Sequence, residues 1–369
     1  MSAPVHLPLD AQAGLSFLPV ACLAVRTGAP TCEQCAARCP TRALRVDDDG
    51  PHLQGDCLRC GRCAAVCPTG ALRCDGFAHL NEPAPRTPLR VECQRVASSE
   101  TRGALRVPCL GGITLSQLIE WVLQTAPHPV ELVDRGACAT CEAAAGDCPA
   151  QALLEEAWPL LSACGVPPNR MPVIQKERWV HPLLPFDHRA PGPALSRRGF
   201  FRRVSSEVGK PRPMASVPSG PRARLRAAAA PLPALDRRTS ALEALAASLG
   251  VPLPAQALWQ VAIGDHCTGC GLCASGCPTG ALTIESGEHT AQWRFDAQRC
   301  VGCQRCAQAC PAHALAVAPG GHAEVVTVHQ RRVGQCVSCG ADVLDMQEAP
   351  LRCVRCRQEA DMARSLFFP

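Results

Sequence analysis

The sequence predicts an α+β protein in which two similar cysteine-rich modules flank a small α/β domain, with a cysteine knuckle near the end of its 369 residues. Three observations predict this arrangement. Four cysteine-rich runs occur in two pairs, and each run leads into a short apolar segment of strand type. A strand–helix–strand pattern separates the two pairs, and two CxxC pairs follow the second.

Three of the four runs have the complete spacing C-x2-C-x2-C-x3-C-P. They comprise Cys57, Cys60, Cys63 and Cys67; Cys267, Cys270, Cys273 and Cys277; and Cys300, Cys303, Cys306 and Cys310. The earliest run lacks only its first cysteine, because Ala29 stands at that position before Cys32, Cys35 and Cys39. This spacing is typical of cubane binding, in which three thiolates of one run reach three irons. Gly61 and Gly271 allow the close backbone approach that such a loop needs.

Over about residues 20–80 and 262–320, these runs resemble the bacterial two-cluster [4Fe–4S] ferredoxins. The resemblance implies a pseudo-symmetric α+β fold for each module and electron transfer through four [4Fe–4S] clusters. It also implies crossed ligation, in which the fourth cysteine of one run completes the cluster of the other. The implied sets are Cys57, Cys60 and Cys63 with Cys39; Cys267, Cys270 and Cys273 with Cys310; and Cys300, Cys303 and Cys306 with Cys277.

The remaining early cluster has three obvious ligands, Cys32, Cys35 and Cys67. Cys22 lies seven residues upstream of Ala29 and is a candidate for the fourth. The alternative is a three-iron cluster, or one labile iron, with Cys22 as a buried free thiol. We favour Cys22 as a ligand.

Disulfide bonds and haem attachment fit the cysteine pattern less well than cluster binding does. Their number, 27, is odd, and a disulfide framework needs an oxidising compartment. No CxxC pair is followed by His, which excludes covalent c-type haem. We expect the nearby His266, His289 and His313 to adjust the properties of the clusters and not to act as ligands. Four cysteines already supply one thiolate to each of the four irons of a cubane.

Composition and charge argue against a membrane-spanning protein and against a nucleic-acid-binding protein. The 35 prolines, 29 glycines and absence of tyrosine indicate a loop-rich chain that needs cofactors for stability. No apolar stretch reaches about 18 residues, so we expect no membrane span. Residues 1–20 lack a basic export signal, which favours the cytoplasm. Four oxidised cubanes at about −2 each change the formal +5 to about −3, so no nucleic-acid partner is expected.

Residues 88–180 predict a small α/β domain. Strands are expected near 89–93, 104–109 and 130–133, with a helix from Thr114 to Gln124 that Thr114 caps. Cysteines at the strand ends suggest a further metal centre with Cys93, Cys109, Cys138 and Cys141 as ligands. The segment weakly resembles the small iron–sulfur subunit that links hydrogenase or formate dehydrogenase to heterodisulfide reductase, which implies a [2Fe–2S] centre. Two alternatives are a decayed cluster run, since Cys148-Pro149 follows, and a set of buried thiols.

A basic, proline-rich stretch at 181–238 is interpreted as a linker between the domains. Residues 239–320 then comprise a helix and the second module, while 1–80 form the first. Ser240 and Glu243 predict a capping box for this helix, and Gly250 predicts its end.

Residues 333–360 contain two CxxC pairs with thirteen residues between them. The expected ligands are Cys336, Cys339, Cys353 and Cys356. The spacing is zinc-ribbon-like and favours a structural zinc ion over a rubredoxin-like iron.

Three functions follow from these features. We favour an iron–sulfur electron-transfer protein, a polyferredoxin that relays single electrons between redox proteins, within a larger oxidoreductase complex. The alternatives are an enzyme subunit with its own metal centre in the middle domain, and an assembly or regulatory factor docking on a partner oxidoreductase. No GxGxxG, P-loop or nucleophile–base pattern is present, so the sequence identifies no catalytic residue and leaves enzyme activity open.

Overall fold

The computed structural model divides into two compact units, residues 1–257 and 258–369. It describes residues 7–10, 14–27, 32–77, 88–97, 99, 101, 103–144, 146–177, 183–185, 238–287, 290–340, 342–344 and 352–367. The position of Ala29 and most of the interpreted linker lie outside these ranges. Among the described helices, none is both long and apolar enough to cross a membrane.

The first module consists of two small antiparallel sheets and three one-turn helices. The three-stranded sheet has the order β1-β2-β5, and the other is the hairpin β3-β4. The strands are β1 (Leu7–Asp10), β2 (Leu15–Phe17), β3 (Leu44–Asp47), β4 (Gly50–Leu53) and β5 (Leu72–Cys74). The helices are α1 (Leu23–Thr27), α2 (Gln34–Ala37) and α3 (Arg62–Ala65).

The middle domain contains a four-stranded parallel sheet in the order β7-β6-β8-β9. Its strands are β6 (Leu89–Cys93), β7 (Leu105–Val107), β8 (Val130–Asp134) and β9 (Val173–Lys176). Its longer helices are α4 (Leu115–Gln124) and α5 (Ala150–Ala163), with 3-10 turns at 110–112, 137–140 and 168–170. The predicted cap of α4 is confirmed, because Thr114 Oγ1 accepts a hydrogen bond from the Gln117 N–H at 3.1 Å.

Helix α6 (Arg238–Leu249) and the 3-10 turn 255–257 complete the core of the first unit. Leu242 and Leu245 are fully buried in the same apolar cluster as the β6 and α4 residues of the middle domain. The expected capping box is wrong, because Ser240 lies inside a helix that already starts at Arg238. The expected end is confirmed by Gly250, whose φ of +68° terminates the helix.

The second unit pairs β10 (Trp259–Ile263) with β13 (Leu315–Pro319) and contains a separate four-stranded antiparallel sheet. That sheet has the order β11 (Leu282–Ser286), β12 (Thr290–Phe295), β14 (Val326–Gln335) and β15 (Asp342–Leu344). Strands β11 and β12 form an antiparallel hairpin, which β14 extends. Helices α7 (Leu272–Ser275), α8 (Arg305–Gln308) and α9 (Val354–Phe367) complete the unit.

A strand begins five residues after the last cysteine of each run. The first residues of these strands are Leu44, Leu72, Leu282 and Leu315, and all four side chains are buried. The repeated Ala-Leu after each cysteine and proline therefore has a structural cause. It places an apolar strand directly behind each cysteine loop, so the loop is anchored to a sheet.

The one-turn helix after the second cysteine starts from a left-handed residue in all three complete runs. Gly61 has a φ of 75°, Gly271 of 73° and Gln304 of 56°. This conformation turns successive backbone N–H groups toward the inside of the loop, where they suit anionic sulfur. Glycine adopts it without steric cost, whereas Gln304 does so with a side chain.

The first module and the middle domain meet through a close backbone contact. A Cβ atom on Gly112 would overlap the Cys60 carbonyl oxygen and the Phe77 ring. Beside it, the Arg62 guanidinium donates hydrogen bonds to the carbonyls of Ala143 and Ala144. The loop that carries Cys60 is therefore fixed against the middle domain.

We predict that Gly112→Ala destabilises the first unit by about 1–3 kcal/mol, because the backbone of Cys60 cannot move away without moving its thiol. The measurement is thermal unfolding of the holoprotein together with the iron content per chain. Gly55→Ala is the matched control, since a Cβ there makes only ordinary contacts at 3.8 Å with Ala43. Equal stability of the two variants would contradict the prediction.

Candidate metal centres

Four thiols from both runs of the first module converge at one pocket, which we call the Cys57 site. Cys57, Cys60 and Cys63 come from one run and Cys39 from the other. Leucine side chains, Leu15, Leu44, Leu53 and Leu58, line the same pocket. Cys74 also lines it and is a fifth cysteine that the run pattern does not include.

A second pocket in the first module, the Cys22 site, contains Cys22, Cys32, Cys35 and Cys67. Cys22 follows the 3-10 turn at 19–21, which directs it to the same pocket as the three other thiols. Burial, with a smaller contribution from the neighbouring Cys67 and Cys32, raises the pKa of Cys22 to about 11. The structure thus supplies a fourth thiol where the run itself has none.

The second module repeats this crossed arrangement. The Cys267 site is lined by Cys267, Cys270, Cys273 and, from the other run, Cys310. In the Cys300 site, burial raises the pKa of Cys300 and Cys306 to about 12. The neighbouring Cys277 contributes to the rise in both, which places this cysteine from the other run beside them.

A known protein family matches both cysteine-rich modules. Residues 30–71 and 266–314 match the family model of the 4Fe-4S dicluster domain. The chain carries two dicluster domains. No curated protein is significantly similar to the chain. The resemblance to two-cluster ferredoxins is confirmed for both modules, and such domains support an iron–sulfur electron-transfer role.

Hydrogen bonds to sulfur recur in the dicluster domains. The N–H of Arg59 donates to Cys57 Sγ and that of Gly269 to Cys267 Sγ, both at 3.4 Å. Threonine hydroxyls lie 3.6–3.7 Å from the last cysteine of three runs, in the pairs Cys39–Thr41, Cys67–Thr69 and Cys277–Thr279. These groups stabilise negative charge on a ligating sulfur.

Removing the proton from a buried thiol of these sites requires extra free energy when no metal is bound. Burial raises the pKa of Cys35 to about 12 and, together with Cys74, raises that of Cys63 well above its usual range. All 27 cysteines lie within the described residues and are free thiols. Iron withdraws charge from ligating thiolates, so a cubane fits a donor set of four buried, convergent thiols.

Trp293 supplies a buried donor at the Cys267 site. Its side chain on β12 is fully buried and lines the pocket. Among the described residues, its indole N–H makes no conventional hydrogen bond, and the thiol of Cys273 is nearby. Burial raises the pKa of Cys273, and the indole N–H partly opposes that rise. A cluster sulfur would satisfy this otherwise costly buried donor.

In the middle domain, Cys109 lies near the other three predicted ligands, Cys93, Cys138 and Cys141. Burial raises the pKa of Cys93 and of Cys109, and the neighbouring Cys141 contributes to both rises. Arg95 donates to Cys141 Sγ at 3.0 Å. Cys109 also packs beside Cys60 of the Cys57 site. Cys138 instead hydrogen-bonds Cys148, which raises the pKa of Cys138 and lowers that of Cys148.

Cys138 and Cys148 form a second group with Asp134. The ligand atoms of these three residues all lie within 4.8 Å of one another. Neither Asp134 nor Cys148 is among the ligands that the sequence predicts. The repeated Cys-Pro at 148–149 was the signal that singled out Cys148, while nothing in the local pattern distinguishes Asp134.

The C-terminal cysteines form a compact group of four. Their sulfurs lie within 4.8 Å of one another, and Cys339 Sγ is 3.7 Å from Cys353 Sγ. A tetrahedral zinc–thiolate site with Zn–S near 2.3 Å requires about 3.8 Å between sulfurs. The first pair follows β14, whereas the second pair lies at the start of α9 and not in a second hairpin.

Backbone donors also act on this group. The N–H of Cys353 donates to Cys336 Sγ at 3.3 Å and lowers the pKa of Cys336 to about 6. Gly340 N–H donates to the Cys336 carbonyl at 2.8 Å and closes the first turn. The four thiols with these bonds are suited to a metal ion.

We predict that Trp293→Phe lowers the reduction potential of the Cys267-site cluster by about 40 mV. The loss of one N–H···S bond worth about 1 kcal/mol removes stabilisation of the more negative, reduced cluster. Protein-film voltammetry or a redox titration followed by EPR measures the shift. Trp158→Phe is the control, because the Trp158 indole donates to Pro172 in the middle domain. An unchanged potential in Trp293→Phe would contradict the assigned role.

Proposed function

We propose that this protein is a polyferredoxin that relays single electrons between redox proteins as a subunit of an oxidoreductase complex. The observation that carries the proposal is the grouping of sixteen cysteines into four crossed quartets within two dicluster domains. Each quartet is proposed to hold one [4Fe–4S] cluster, with Cys22 completing its site. A polyferredoxin accepts and releases one electron per cluster without bond making in a substrate.

The protein's own contribution is to hold the thiols and set their surroundings. Leucine side chains at the Cys57 site keep water from the sulfurs, and the Trp293 indole does so at the Cys267 site. Backbone N–H and threonine hydroxyl donors stabilise extra negative charge, so they favour the reduced state. Because β3, β5, β11 and β13 begin directly behind the loops, the thiols need little rearrangement when the charge changes.

We further propose that the C-terminal quartet binds structural zinc. The sulfur spacing supports a closed tetrahedral site, and the four ligands leave no open position for substrate. β14 pairs with β12 of the second dicluster domain and with β15 beside the quartet. Zinc would therefore stabilise the end of a sheet that also carries Trp293.

A second candidate is an enzyme subunit with an additional centre in the middle domain. The contact between Cys109 and Cys60 favours it, because electrons at the Cys57 site would pass directly to that centre. The proposed donors are Cys93, Cys109 and Cys141, with Cys138 or Cys148 as the fourth. A [2Fe–2S] cluster there would add two irons to about sixteen.

The relay is tested by counting and transferring electrons. Titrating the anaerobic holoprotein with dithionite should reduce about four one-electron centres per chain, with cytochrome c then reoxidising them in stopped flow. Cys300→Ala, which removes one ligand of one site, should leave about three. Clusters that are present but neither accept nor return electrons would contradict the relay and favour a regulatory or assembly role.

We predict that purified protein contains about one zinc per chain and that Cys353→Ala loses it without losing iron. Elemental analysis by mass spectrometry measures both metals in one sample. Ser338→Ala, within the same knuckle, is the control and should keep its zinc. Iron in place of zinc, or zinc retained by Cys353→Ala, would contradict the assignment.

A further inference from the structure

One position of the fourfold repeat differs in chemistry from its equivalents. The seventh residue after the last cysteine of each run is Val46, Cys74, Ile284 and Val317. Three of these are β-branched aliphatic residues, and each of the four lies on the strand that follows its loop. The second repeat alone therefore has a thiol where the other three repeats have an aliphatic side chain.

This position faces the cysteine pockets of the first module. Val46 lines the Cys22 site, and Cys74 lines the Cys57 site. Among the described residues, the Cys267 site has only its own four cysteines, and Ile284 lies against the ligand loop at Gly271. The Cys57 site thus offers five thiols to four irons, whereas its counterpart offers four.

Hydrogen bonds connect Cys74 to the ligand loop of the same site. Its thiol donates to the carbonyl oxygen of Arg59 at 3.4 Å. The N–H of Arg59 donates to Cys57 Sγ, also at 3.4 Å. Arg59 lies between Cys57 and Cys60, so the fifth thiol contacts the same residue that orients a ligand.

We propose that Cys74 is an interchangeable fifth ligand of the cluster in the Cys57 site. The proposal rests on the proposed function, because it requires that this site hold a [4Fe–4S] cluster. In the exchange, the bond from iron to Cys57 Sγ breaks and a bond from the same iron to Cys74 Sγ forms. The proton leaves the Cys74 thiol and passes to the Cys57 thiolate, so no electron is gained or lost.

Interchange would let the cluster survive the loss of one ligand. An iron that loses its thiolate normally becomes labile, and the cubane decays to a three-iron form. A fifth thiol beside it occupies the open corner first. Oxidation or alkylation of Cys57 should therefore leave this cluster intact, whereas equivalent damage at Cys267 should not.

The test compares alanine variants of the two equivalent sites by iron and acid-labile sulfide content and by EPR of the reduced protein. Cys57→Ala should keep the wild-type iron count, whereas Cys57→Ala/Cys74→Ala should lose one to four irons. Cys267→Ala should lose iron as the double variant does. Adding Ile284→Cys to Cys267→Ala transplants the fifth thiol and should restore the count.

Two results would overturn the proposal. The first is equal iron loss in Cys57→Ala and in the double variant, with the wild-type chain fully loaded. The second is failure of Ile284→Cys to restore iron in a folded Cys267→Ala protein. A wild-type chain without clusters in the first module would instead refute the proposed function on which the inference rests.

Discussion

Each cysteine quartet of the dicluster domains joins thiols from both runs of its module, and at the Cys22 site Cys22 takes the place of the cysteine that its run lacks. Neither run supplies all four ligands of a site, so a bound cluster would join cysteines that are 18 to 45 residues apart, such as Cys39 with Cys57, Cys60 and Cys63. Burial raises the pKa of Cys60 and Cys63, so without a metal the site would hold weakly acidic thiols side by side. Cofactor binding and folding of each module are therefore expected to be coupled.

The rest of the fold supports this convergence. A buried leucine starts the strand that follows each of the four cysteine runs. Gly112 allows the middle domain to pack closely against the loop of Cys60. The middle domain in turn buries helix α6, which follows the linker in the sequence. In the second unit, β14 extends the hairpin that carries Trp293 and ends at the C-terminal quartet. Within each unit, the cysteine groups are thus held by the sheets that pack behind them.

Residue spacing predicted the two dicluster domains and the Thr114 cap, because both depend on residues that are close together in the sequence. It did not predict Cys74, since the run ends at Cys67 and only comparison of the four repeats reveals the thiol. Cys138 was grouped with Cys141 by the CxxC spacing. In the structure the two thiols have different partners, because Cys138 hydrogen-bonds Cys148 whereas Cys141 accepts a hydrogen bond from Arg95. Helix α6 packs against residues of the middle domain, which precede the linker in the sequence. The local sequence pattern does not predict such contacts between distant segments.

The most direct test of the central claim is Mössbauer spectroscopy of anaerobically purified, 57Fe-labelled protein, with iron and sulfide counted per chain. We expect about sixteen irons per chain, all in [4Fe–4S] clusters. If the middle domain holds a [2Fe–2S] centre, we expect about eighteen irons. Eight or fewer irons after careful reconstitution would contradict it, because at least one module would then hold no clusters.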